Sequence, residues 1–143
     1  MPSKAIKPVV LIVRDGWGFS PKKQGNAIAH AHAKNAQRYE KEYPTTLLDA
    51  SGNAVGLPKG TQGTSEVGHL TMGAGRIVWQ PLELINRAIN GKRFEKNNVL
   101  TDAIKQSKKD KTALHITGLL SDGNVHAAME HLFALLKLAK KLK

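Results

Sequence analysis

Apolar positions along the chain fall into two kinds of run. Pro8-Val9-Val10-Leu11-Ile12-Val13 is continuous and β-branched, without alternation. That pattern predicts a strand covered on both faces, as in a parallel sheet packed between helices. Thr45 to Ala50 and Thr112 to Thr117 read as further strands, and Ile77-Val78-Trp79 is a short apolar lead into the next helix. Between these runs the period becomes helical. A helix is expected over Asn26 to Tyr43, with Ile28, Ala31, Ala36 and Tyr39 as an imperfect stripe and Pro44 closing it. Pro81 opens a helix striped by Leu82, Ile85 and Ile89, and Val99, Ala103 and Ile104 mark another from about Asn98 to Ser107. The final helix carries Leu132, Leu135, Leu136, Ala139 and Leu142, with Lys137, Lys140 and Lys143 near its negative end. Strands alternating with helices predict an α/β fold on a parallel sheet, with a second unit beginning near residue 78.

The joints between these elements carry the candidate chemistry. Residues 60 to 76, GTQGTSEVGHLTMGAGR, place the Ser65 hydroxyl after a glycine-rich approach and at the start of a short helix. Gly60 and Gly63 are expected to turn through positive φ, and Ser65 to cap the helix, whose free N–H groups could hold an anion. Asp15, followed by Gly16-Trp17-Gly18, sits just past the first apolar run, where open α/β sheets place their ligand sites. Ser121, Asp122 and His126 form a second cluster between a strand end and a helix start. There Ser121 or Asp122 could cap the helix, and His126 could contact a phosphate or carboxylate. Each feature also has a plain structural reading: a helix cap for Ser65, a turn former for Asp15, an incidental imidazole for His126. His30 and His32, two residues apart, face different ways on a helix and do not share a metal, and His131 reads as a helix-surface residue.

Composition narrows the setting. The 143 residues suit one ordinary domain, and 41% apolar with 23% charged residues is a soluble globular balance. The net charge of +11 favours anionic partners such as phosphate esters or nucleic acid. However, the excess is evenly spread, with 11 basic against 6 acidic residues over 1–90 and 11 against 5 over 91–143. Lys108-Lys109 with Lys111 and Lys140-Lys141 with Lys143 are the local clusters, and 5% aromatics supply no stacking platform beside them. A nucleic-acid partner is therefore not expected. The absence of Cys removes disulfides, thiolate metal sites and Cys nucleophiles and fits a reducing cytoplasm. Val9 to Val13 is too short for a signal peptide or a membrane span, so no membrane partner is expected.

Taken together, Asp15-Gly16-Trp17-Gly18, Thr64-Ser65-Glu66-Val67-Gly68-His69 before Gly73-Ala74-Gly75-Arg76, and Ser121 to His126 resemble the cofactor-independent phosphoglycerate mutases. The likeness runs through nearly the whole chain in the family's order. It implies the α/β, parallel-sheet fold of the alkaline phosphatase superfamily and interconversion of 3-phosphoglycerate and 2-phosphoglycerate in glycolysis. It further implies two divalent metal ions, manganese or alternatively magnesium, and no free 2,3-bisphosphoglycerate. By resemblance Ser65 is the phosphorylated nucleophile and a metal ligand, Asp15 a metal ligand, and His126 a substrate-binding residue. Residues 1–77 then correspond to the first piece of the metal-binding phosphatase domain and 78–143 to the opening of an inserted phosphotransferase domain.

Four departures accompany the likeness. Thr64 stands where the family has Asn, Asn124 where it has Gly, and Ala127-Ala128 where a Ser-His follows the substrate histidine. The first two are mild, since Thr keeps a side-chain oxygen and Asn tolerates the left-handed backbone. The fourth is length: family members are considerably longer, and their remaining metal ligands, substrate arginines and catalytic lysine lie beyond the equivalent of residue 143. The expectation is a chain inactive alone, completed in cis or by a second polypeptide. Rival readings are a metal-dependent phosphatase or other phosphomutase of the same superfamily, and a non-catalytic anion- or nucleic-acid-binding module.

Overall fold

A computed structural model describes residues 7–142, and the chain divides into two units, Met1–Leu48 and Asp49–Lys143. Among the described residues there are helices and turns but no strand. The parallel sheet expected from the apolar runs is thus not present among the described residues, and the run from Val9 to Val13 is exposed, Val9 by 95%. Leu47, Leu48 and Ile116, in the other two expected strands, are exposed as well. The reason is physical: a strand is stabilised by neighbours that take its N–H and C=O groups and cover its faces, so a β-branched sequence alone does not create one.

In the first unit the expected helix over Asn26 to Tyr43 forms as two pieces. Helix α1 is Ala27–His30 and α2 is Lys34–Glu42, with Ala31 in extended backbone between them. Asn26 caps α1 by accepting from the Ala29 N–H at 3.1 Å. On α2, Tyr39 and Tyr43 stack edge to face with centroids 5.8 Å apart. His30 and His32 are both exposed.

The second unit begins with a tightly hydrogen-bonded loop. A 3₁₀ turn, Gly52–Val55, is closed by Gly52 N–H to Thr61 C=O at 2.9 Å and Leu57 N–H to Gly52 C=O at 3.0 Å. The Asn53 amide donates to the Leu57 carbonyl at 2.8 Å, and Gly56 C=O accepts from Gln80 N–H at 2.9 Å. Helix α3, Ser65–Ala74, follows this loop and ends at Gly75 in the left-handed region. It contains Gly68 and Gly73, each about 1 kcal/mol less favourable in a helix than Ala, and buries Val67.

Helices α4 (Pro81–Asn90), α5 (Asn98–Lys109) and α6 (Met129–Leu142) build the core of this unit. Pro81 occupies the first turn of α4, where its missing N–H costs nothing. Asn97 caps α5 through the Leu100 N–H. Ile104, 1% exposed, packs with Leu138 and Ala139, flanked by Phe94, Leu100, Leu114 and Leu142. Val99, expected on the apolar stripe of α5, is 79% exposed, and Leu136 is exposed on α6, where Leu138 takes the central place. Lys108 Nζ donates to the Leu142 carbonyl at 3.3 Å, a cation on the negative end of α6.

At the rim, Lys141 Nζ lies 2.6 Å from Glu95 Oε2. The Lys141 hydrogen bond, then its charge, holds the Glu95 carboxyl below the ordinary glutamate value. A lowered carboxylate contributes stability above the unfolded-state value that is lost as pH falls through the folded one. In an NMR pH titration Glu95 is expected to titrate below ordinary glutamates, and Lys141→Met to return its midpoint upward. An unmoved midpoint in that variant would reject the pairing.

Candidate functional site

Asp15 lies in the first unit, in a tight turn after the apolar run. Gly16, at φ +74°, donates its N–H to Asp15 Oδ1 at 2.9 Å, and Trp17 N–H closes the turn on Arg14 C=O at 3.2 Å. The Arg14 guanidinium stacks 4.3 Å from the Trp17 ring centroid. The carboxylate is exposed and already accepts one backbone hydrogen bond, which the flanking glycine permits.

Ser65 is the first residue of α3, and Thr64, in extended backbone, takes the capping position without a side-chain cap bond. The expected Ser65 cap is therefore displaced by one residue. As a consequence the hydroxyl belongs to the exposed first turn, beside Glu66. The loop before it is held by two glycines for different reasons. Gly60 has φ +82°, whereas Gly63 has no such angle but lies so close to the chain that a Cβ would stand 1.7 Å from the Ala50 carbonyl oxygen. The expectation of positive φ thus holds for Gly60 and is corrected at Gly63, where close approach is the constraint. His69, one turn after Ser65, bonds through Nδ1 to the Ser65 carbonyl at 2.7 Å. His69 belongs to the Ser65 motif, and its i, i+4 spacing from Ser65 is the signal in the sequence for this contact.

The second cluster is arranged differently from expectation. Helix α6 starts at Met129, too far on for Ser121 or Asp122 to cap it. Ser121 Oγ instead accepts from the Gly123 N–H at 3.1 Å. Asn124 adopts φ +53°, the left-handed geometry that an Asn in a Gly position must tolerate. His126 is exposed just before α6, and Ala128 behind it is buried. His131 is not a plain surface residue: it is half-buried and its Nε2 meets Asn86 Oδ1 at 2.7 Å. Asn86 also reaches Glu83, which is buried and pairs with Arg87 at 3.0 Å; the Arg87 guanidinium in turn lies 3.3 Å from the Trp79 ring centroid. This polar chain joins the segment after α3 to α6.

Among the described residues no three or more His, Cys, Asp or Glu side chains gather to hold a metal ion. A dication of the manganese or magnesium type requires several oxygen or imidazole donors, so Asp15 and Ser65 by themselves do not build its site. No helix among the described residues is long and apolar enough to cross a membrane.

Residues 85–143 match the family model for the BPG-independent PGAM N-terminus. Over 137 residues, 96% of its length, the chain is 51% identical to the 2,3-bisphosphoglycerate-independent phosphoglycerate mutase of Staphylococcus epidermidis. It is 52% identical over 135 residues to the enzyme of the same name from Desulforudis audaxviator. The chain is thus similar to the N-terminal portion of 2,3-bisphosphoglycerate-independent phosphoglycerate mutases. It spans 27% and 26% of the length of these two relatives.

Proposed function

We propose that the chain supplies the nucleophile-bearing part of an enzyme that interconverts 3-phosphoglycerate and 2-phosphoglycerate, with Ser65 as the phosphoryl acceptor. The observation that carries this reading is the 51% identity over 96% of the chain to a phosphoglycerate mutase. The exposed Ser65 on the first turn of α3 supports it, because N–H groups there favour an anion and the hydroxyl is within reach of a substrate. In the forward step Ser65 Oγ forms a bond to phosphorus as the bond to the substrate oxygen breaks, and the serine proton ends on that oxygen. The return step reverses this with the neighbouring hydroxyl of glycerate as nucleophile. Water must be excluded between the steps, since hydrolysis of the phosphoserine would turn a mutase into a phosphatase.

In the same reading Asp15 and Ser65 contribute ligands to a divalent-metal centre and His126 holds substrate. Two manganese ions are the expected occupants, with magnesium the alternative, and free 2,3-bisphosphoglycerate is not required. When bound, such an ion supplies charge stabilisation and lowers the pKa of a coordinated hydroxyl. The remaining donors come from other parts of the longer protein, in cis or as a second polypeptide. Residues 1–77 and 78–143 are its first phosphatase piece and the start of its phosphotransferase domain. The exposed apolar runs supply strands to the parallel sheet of the longer protein, and the compartment is the cytoplasm.

The test is a chimera in which this chain replaces the matching N-terminal part of the Staphylococcus epidermidis relative. It is expected to interconvert the phosphoglycerates and to take 32P label from substrate, while the 143-residue chain alone does neither. Ser65→Ala in the chimera should lower turnover by at least about 10³-fold, as removal of a nucleophile does, and abolish labelling. Turnover surviving Ser65→Ala rejects the nucleophile; turnover by the isolated chain rejects the need for other ligands.

A further inference from the structure

We propose that His69 is a positioning residue for Ser65, held as the Nδ1–H tautomer by the backbone of the residue it serves. The assignment starts from one contact, His69 Nδ1 to the Ser65 carbonyl oxygen at 2.7 Å. A carbonyl oxygen only accepts, so Nδ1 carries the hydrogen, and in the neutral ring Nε2 is then the acceptor nitrogen. This is the reverse of the tautomer that predominates for a free neutral histidine side chain. Helix geometry explains why the contact forms: side chains tilt toward the N-terminus, so a residue at i+4 lies over the turn that begins at i.

The local sequence explains why α3 needs it. Thr64 makes no side-chain cap bond, two glycines loosen the helix, and Val67 is its buried side chain. Gly68 N–H to Thr64 C=O at 3.1 Å and the imidazole on the Ser65 carbonyl both brace the first turn. The imidazole therefore limits how the Ser65 peptide tilts, and with it the direction of the Ser65 side chain. A shift of about 1 Å at a reacting group can cost on the order of 10²-fold in rate. The inference rests on the reading of Ser65 as nucleophile and adds a residue to it.

The direct test is long-range ¹H–¹⁵N correlation NMR on the ¹⁵N-histidine-labelled 143-residue chain. His69 is expected to show the Nδ1–H pattern, also in Ser65→Ala, because its partner is backbone. An Nε2–H or averaged pattern overturns the proposal. The second readout is kinetic, in the chimera described above. His69→Ala should lower kcat by about 10–100-fold, with KM within about twofold because substrate contacts are untouched. His69→Asn, whose Nδ2 sits where Nδ1 was, should restore most of kcat, and His69→Gln should not. An unchanged kcat in His69→Ala, with Ser65→Ala inactive, rejects the positioning role alone. Loss in both Ala and Asn variants rejects it in favour of chemistry at Nε2. Full turnover in Ser65→Ala rejects the nucleophile reading instead.

Discussion

Gly56→Ala is expected to destabilise the Asp49–Lys143 unit by about 3–5 kcal/mol, the upper range for a single substitution. Two costs coincide at this position. Its φ of +82° is a left-handed conformation that costs a Cβ-bearing residue about 1–2 kcal/mol. A Cβ there would also stand 2.0 Å from the Val78 carbonyl oxygen and 3.0 Å from Trp79 Cα. Both are backbone atoms, so the strain cannot be relieved by a rotamer change. Relief requires opening the loop, which breaks Gln80 N–H to Gly56 C=O and releases the approach to Ser65. Gly60→Ala is the internal control: it has the same φ of +82° with no atom within 4 Å of the added Cβ. It should therefore lose only the conformational share, about 1–2 kcal/mol. Denaturant unfolding of the two variants separates the costs, and equal losses would show that close approach at Gly56 does not matter.

The comparison of these glycines also shows how much of the site sequence reading can reach. Gly60, Asn124 and Pro81 were legible because the constraint on each is local, a φ value or a missing N–H. Gly63 and Gly56 were not legible in kind, since their constraint is a carbonyl from a distant stretch of chain. The same division explains the helices. Pro81 and the apolar spacing that includes Ile104 act within single helices, and α4 and α5 form close to expectation, whereas Leu138, which meets Ile104 from another helix, lay outside the expected α6 stripe. Strands need partners, and Val9 to Val13 finds none among the described residues to cover it. His131 was misjudged because its Asn86 partner lies on another helix, whereas the His69 contact to Ser65 was available from spacing alone.

Ile104→Ala is expected to cost about 3–4 kcal/mol, within the usual range for truncating a fully buried Ile. Ile104 is the most deeply buried large side chain described, and Leu138 and Ala139 of α6 close over it. Collapse of α5 into the space left behind is limited because it is tied at both ends. Asn97 caps its start, and near its end Lys108 reaches the last described carbonyl of α6. The lost methylenes therefore leave a cavity, whose lining forfeits contacts as well as burial. Leu138→Ala alone should cost a similar amount. The double variant should lose less than the two single losses added, by about 0.5–2 kcal/mol, since the second truncation enlarges a cavity already present. Urea unfolding checks this, with an unchanged slope confirming that the same surface is exposed in each variant. Strict additivity would mean that α5 and α6 do not share this core. In that case α6 could not carry the orientation of the His126 loop back to the rest of the unit.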